Sequence, residues 1–176
     1  MKYAEARDLY AIGIFLFLKG LIILPIAAAG LPLIALGARG LSAHYNNPGI
    51  YNGAKAAALA AAVGFTIYAI YLYAIGVVHS PVEYLRPLKL ASTNLETNFA
   101  LWPVAMAFAY FIYRSLKSLY QATAKKSLNT AAKITLAGGL LPITTVGIFI
   151  IYAGLFLALL ATFNLTPPKR PPPNLT

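Results

Sequence analysis

Arg39-Gly-Leu-Ser-Ala-His-Tyr-Asn-Asn-Pro-Gly-Ile-Tyr-Asn-Gly-Ala-Lys55 is a polar, turn-rich connector between two long apolar runs. Within it, Asn46-Asn47-Pro48-Gly49 is a turn signal, because Pro48 fixes φ and Gly49 tolerates φ > 0. Tyr45 and Tyr51 suit a membrane–water boundary. A plain turn explains Asn46 and Asn47 better than a ligand held on turn amides. A second connector, residues 117–133, stands in the same relation to two further apolar runs. No reactive constellation occurs in either, and the chain reads as a multi-spanning membrane protein.

The two connectors align without gaps at an offset of 78. Arg39 falls on Lys117, Leu41 on Leu119, Ala54 on Ala132 and Lys55 on Lys133. The flanking runs add Pro25 on Pro103, Ile34 on Ile112, Thr66 on Thr144 and Gly76 on Gly154. In all, 10 of the 54 positions from 25 to 78 are identical. One reading is an internal repeat of one helical hairpin per unit, both copies the same way up. The other is two unrelated hairpins of similar composition.

Apolar residues make up 60% of the chain and charged ones 10%, against roughly half and a quarter in soluble domains. Uncharged runs of this length imply lipid rather than a soluble core. The 176 residues leave room for four or five spans and no sizeable domain outside the membrane. There is no cysteine, which excludes disulfides, thiolate chemistry and Cys-ligated metals. The net charge of +10 sits mostly in short loops beside apolar runs. Lipid phosphate and topology account for it there, and nucleic acid is not expected as a partner.

Residues 1–8 carry Lys2, Glu5, Arg7 and Asp8, and the apolar run that follows continues past any plausible signal-peptide cleavage point. Leu9 to Ala43 is 35 residues, about 52 Å as one helix against a bilayer core of about 30 Å. Two readings fit. Residues 20–43 form the span and 3–19 an interfacial extension, or a turn near Pro25 makes two short spans. The repeat favours the first, and Lys19 then lies at an interface. The second helix runs from about Gly53 to Val78, with Ala56–Ala62 and Gly64 as its packing face. Residues 79–98 form a broken polar loop, and Thr93 with Glu96 matches a capping box that opens the third helix, running to about Ala122. The fourth spans roughly 130–163, kinked or loosened at Gly138, Gly139 and Pro142. The fold class is therefore an all-α polytopic membrane protein, four transmembrane helices as two tandem hairpins, or five if the first run splits. Residues 1–163 form one transmembrane domain, with repeat halves of about 20–78 and 98–156, and 164–176 form a Pro-rich tail in extended, polyproline-like conformation.

The connectors carry Arg39, Lys55, Arg114, Lys117, Lys125, Lys126 and Lys133, seven basic residues and no acid. These are the expected contacts to lipid headgroups, and they place both connectors in the cytoplasm. Four spans then put the tail outside the cell. Asn164-Leu-Thr and Asn174-Leu-Thr are N-glycosylation acceptor patterns that would be available there.

The run Leu33–Asn52, an apolar helix passing into Gly-Leu-Ser-x-x-Tyr-Asn-Asn-Pro-Gly-Ile-Tyr-Asn, resembles an uncharacterised archaeal family of small multi-spanning membrane proteins, domain of unknown function 996. Members resemble this chain through Leu-Ser-x-x-Tyr-Asn-Asp-Pro-x-Ile-Phe. Asn47 stands here in place of the usual acid and Tyr51 in place of the usual Phe. The second connector and the Gly-containing final helix are also similar, so the likeness covers roughly residues 9–165. It implies an archaeal membrane location and a helical fold, and it supplies no activity. The Pro-rich tail is not an expected family feature.

His44 and His79, the only histidines, fall on opposite sides of the bilayer and cannot share a metal or haem. Pro81 breaks the helical spacing of His79 and Glu83. Thr66, Tyr68, Thr144, Thr145 and Tyr152 could line a path, but such groups more often satisfy backbone or bond a neighbouring helix. No catalytic residue, metal site or cofactor is expected. The leading expectation is a non-catalytic integral membrane subunit, a scaffold or accessory component of a larger archaeal membrane complex. Its partners would be the bilayer and other subunits or further copies of the chain. A small repeat-built transporter or channel, or a glycosylated envelope protein, is the alternative.

Overall fold

Both connectors shrink to two residues in the computed structural model, which describes residues 1–20, 24–74, 95–141 and 145–168. Helix α2 (Leu24–Tyr45) stops on Asn46, whose φ of 48° is left-handed. The Asn47 N–H donates to the Ser42 carbonyl at 3.0 Å and the Asn46 N–H to the Ala43 carbonyl at 3.4 Å, the paired bonds of a Schellman turn. Helix α3 (Pro48–Ala74) starts at once. Asn47 caps it by accepting the Gly49 N–H at 3.0 Å, and Pro48 takes the first helical position, where its missing N–H costs nothing. The expected start near Gly53 is therefore too late.

Helix α4 (Leu95–Thr123) ends on Ala124, at φ 56°, whose N–H donates to the Tyr120 carbonyl at 2.7 Å. Helix α5 (Lys126–Leu140) follows. Asn46 and Ala124 are separated by the same 78 positions as the aligned connectors, and so are the helix starts Pro48 and Lys126. Asparagine tolerates the left-handed region, whereas alanine's Cβ is strained there. Ala124→Gly is expected to raise stability by about 1 kcal/mol, read as a higher midpoint of thermal unfolding in detergent.

The first apolar run splits. Helix α1 (Tyr3–Gly20) packs antiparallel on α2, so the run is two helices side by side, of which α2 is long and apolar enough to cross a membrane and α1 is not. Glycine makes this possible. A Cβ on Gly30 would lie 2.7 Å from both the Gly13 carbonyl oxygen and the Phe17 nitrogen. One on Gly37 would lie 2.6 Å from the Tyr10 Cα. The helices meet backbone to backbone, which is how helices associate in lipid.

The last run splits as well. The expected kinked helix over 130–163 is two antiparallel helices, α5 and α6 (Thr145–Phe163). Again glycine sets the approach: a Cβ on Gly138 would stand 2.6 Å from the Ile151 nitrogen. The helix-breaking cluster marks a reversal of direction rather than a kink. On α3 the packing face is narrower than the alanine run implied. Ala54, Ala57 and Ala61 are buried, while Leu59, Ala62 and Val63 face outward.

Each helix packs on its neighbours in sequence, and α1 also packs on α6, closing a ring of six. The Tyr152 hydroxyl of α6 donates to the Leu18 carbonyl of α1 across this closure. The centre is filled from α1. Tyr10 is fully buried, and Phe17 stacks on Phe65 of α3 at 6.0 Å and on Phe108 of α4 at 5.0 Å. Outward, Leu59, Val63 and Ile70 on α3 and Phe149 and Phe156 on α6 are exposed. An apolar surface this continuous fits lipid.

The described residues thus form six helices and no strand, where four spans were expected. Among the described residues three segments are long and apolar enough to cross a membrane: Pro25–Tyr45, Pro48–Tyr71 and Val146–Phe163. Helix α5, at 15 residues, is about 22 Å long and falls short of a core of about 30 Å.

Alternating directions gather the start of α1, both connectors and the end of α6 at one end of the bundle, here the connector end. The tail begins there too. Tyr45 donates its hydroxyl to the Thr166 carbonyl at 2.7 Å, Lys125 Nζ reaches the Asn164 carbonyl, and Leu165 is buried. The tail therefore starts at the same end of the bundle as the connectors. The α5–α6 pair brings residues 164–168 back to the connector end of the bundle, where four spans would have left them at the other end. His79, Glu83, the Thr93–Glu96 capping box, Pro142, Thr144, the side chain of Thr145 and Asn174 lie outside the described residues.

Candidate functional site

The connector end is where the polar side chains converge. Asn47 does more than cap α3: its Nδ2 donates to the Ser118 carbonyl of α4 at 3.0 Å. Ser115 of α4, fully buried, donates to the Ile50 carbonyl at 2.8 Å. Gly53 lets the two helices close, since a Cβ there would meet the Ser115 nitrogen at 2.6 Å. Ser42 donates to the Asn47 carbonyl at 2.9 Å and holds the turn from the α2 side. Ser42, Asn47 and Gly49 of the quoted stretch therefore fasten α2, α3 and α4 together. Their chemistry is that of a structural lock.

The chain ends dock on the same turn. Because the Tyr45 hydroxyl donates to the tail, the Tyr3 hydroxyl donates to Tyr45, at 2.9 Å. His44 packs edge-on against the Tyr3 ring at 5.6 Å, and its Nε2–H donates to the Met1 carbonyl at 3.2 Å. This histidine is a clasp on the N-terminus. Among the described residues no group of three or more His, Cys, Asp or Glu residues could hold a metal ion.

Asn47→Ala removes the α3 cap and the bond to α4 together. It is expected to cost about 2 kcal/mol, seen as a lower unfolding midpoint in detergent, with Asn52→Ala on the exposed face of the same turn as the unaffected control.

All seven predicted headgroup residues lie at or near this end. Arg39, Lys55, Arg114, Lys117, Lys126 and Lys133 are exposed and Lys125 is half-buried. Lys117 stands 5.4 Å from the centre of the Tyr113 ring. Among the described residues the one ion pair is Arg7–Asp8, at 2.9 Å, so none of the seven is neutralised by a carboxylate. Asn164, the first predicted glycosylation site, is exposed, and its side chain donates to the Leu160 carbonyl at 3.0 Å.

Of the residues considered for a path through the membrane, Thr66 donates to the Ala62 carbonyl at 2.9 Å and Tyr152 to Leu18, both satisfying backbone. Sequence reasoning missed a groove between α2 and α3. It has a volume of about 420 Å³ and apolar walls that include Pro32, Leu59 and Ala62, with Lys55 among its lining residues. The signal was present in the sequence: Ala28, Pro32, Ala35 and Arg39 recur at helical spacing on α2, as do Lys55, Leu59, Ala62 and Thr66 on α3.

A family model described as "Protein of unknown function (DUF996)" matches residues 26–155. That stretch takes in nearly all of α2, all of α3 to α5 and the first half of α6. No curated protein and no solved structure matches the chain.

Proposed function

The chain belongs to this family of unknown function, and we propose that it is a non-catalytic integral membrane subunit, a scaffold or accessory component of a larger membrane complex. The observation that carries this reading is the filled centre of the ring. Tyr10, Phe17, Phe65 and Phe108 occupy the place where a path would run. Three buried hydroxyls are spent on backbone, while the Tyr10 hydroxyl and the Trp102 Nε1–H are buried without a hydrogen-bond partner. Ser115 donates to Ile50, Thr135 to the Ala131 carbonyl at 2.9 Å and Thr162 to the Ala158 carbonyl at 2.7 Å. These groups support a rigid body more than a solute pathway or a reactive centre.

The basic bias supports a cytoplasmic connector end in the cell membrane. The exposed apolar faces of α3 and α6 are then available to lipid or to neighbouring subunits. Gentle extraction from native membranes, followed by mass spectrometry of whatever accompanies the protein, tests this. Stoichiometric partner subunits are expected. A protein recovered alone that also drives solute flux in liposomes would replace this reading with the repeat-built transporter.

A further inference from the structure

We propose that the α2–α3 groove binds one acyl chain of an anionic phospholipid, with the phosphate held at Lys55. The groove opens on the outside of the ring. Exposed Pro32, Leu59 and Ala62 form its rim, and buried Leu31 lies deeper. Its length suits a single leaflet. Lys55 and Thr66 stand 11 positions apart on α3, about 16 Å of helix and close to half of a hydrocarbon core of about 30 Å.

The two ends of the groove differ in chemistry as the two ends of a lipid chain do. At the connector end Lys55 is exposed and has no carboxylate partner among the described residues. Its long stem lets the ammonium reach the headgroup layer. Arg39 lies one turn beyond Ala35 on the same stripe of α2 and is also exposed, adding a second cation near that end. At the other end Thr66 spends its hydroxyl on the Ala62 carbonyl, so the methyl end of a chain meets no free polar group there. An apolar trough running away from unneutralised cations complements an acyl chain that ends in a phosphate.

The test uses the full-length protein in detergent and native mass spectrometry. Dioleoyl phosphatidylglycerol and dioleoyl phosphatidylcholine are added in equal amounts. A single phosphatidylglycerol adduct is expected to dominate, and soluble glycerol phosphate should not displace it. Lys55→Gln should lower its retention about fivefold. Ala62→Phe fills the groove from an exposed position, leaves the charges in place and should abolish the adduct while helix content stays unchanged. Lys126→Gln, on α5, should have no effect. The proposal is overturned if phosphatidylcholine is retained equally, if Ala62→Phe keeps the adduct, or if Lys126→Gln matches Lys55→Gln. None of these results depends on whether protein partners co-purify, so the subunit reading is tested separately.

Discussion

Gly37→Val is expected to unfasten the α1–α2 hairpin and to cost about 3 kcal/mol or more. The new side chain has nowhere to go. A Cβ at this position meets the Tyr10 Cα at 2.6 Å and the Tyr10 Cβ at 2.7 Å, and Tyr10 is fully buried in the centre of the ring. Backbone cannot swing aside as a flexible side chain can, so the helices must separate and the central packing of Tyr10 loosens with them. Gly64→Ala is the matched control. Its Cβ meets Val104 Cγ1 at 2.9 Å, the end of a side chain that can rotate, and the expected cost is below about 1 kcal/mol. Denaturant titration of helicity in mixed micelles reads both variants. If Gly37→Val unfolds together with the unsubstituted protein, α1 and α2 do not meet as described.

That contrast also shows what the sequence could and could not disclose. The helical class followed from the uncharged runs. The connector at 46–47 followed from Asn-Asn-Pro-Gly, whose four residues each have a distinct local task. The second connector carries no such signature. Ala124 adopts a left-handed φ that its side chain disfavours, and only the alignment with the first connector pointed to it. For the other two hairpins, α1–α2 and α5–α6, the local sequence signals were slight. Leu21-Ile22-Ile23 contains no turn former. The excess length of the run and the glycine spacing of α1 and α2 were the better clues, because glycine at 13, 30 and 37 makes sense only if another backbone lies against it. Gly138-Gly139 and Pro142 were visible, but a kink and a reversal share the same residue types. The Lys55 groove needed two helices in register, which no single segment reveals.

The second large effect concerns sidedness. The chain has no cysteine, so single cysteines report accessibility without background. Asn52→Cys, Gln121→Cys and Thr166→Cys are expected to react with a membrane-impermeant maleimide from one and the same side, and Tyr73→Cys from the other. All four positions are exposed. The effect is all-or-none because the two ends of the bundle face different compartments. A single last helix would leave Thr166 opposite Gln121, whereas the α5–α6 hairpin returns it to the turn where Tyr45 and Lys125 hold the tail. Thr166→Cys reacting together with Tyr73→Cys would mean that α5 and α6 are one span after all. The same result decides the sequon. With the connector end in the cytoplasm, Asn164 shares a compartment with the seven connector cations and is expected to carry no glycan, a state that peptide mass spectrometry reads directly. Basic connectors inside and a glycan on Asn164 cannot both hold in this bundle, because residue 164 cannot leave that end without breaking the Tyr45 and Lys125 bonds and exposing buried Leu165.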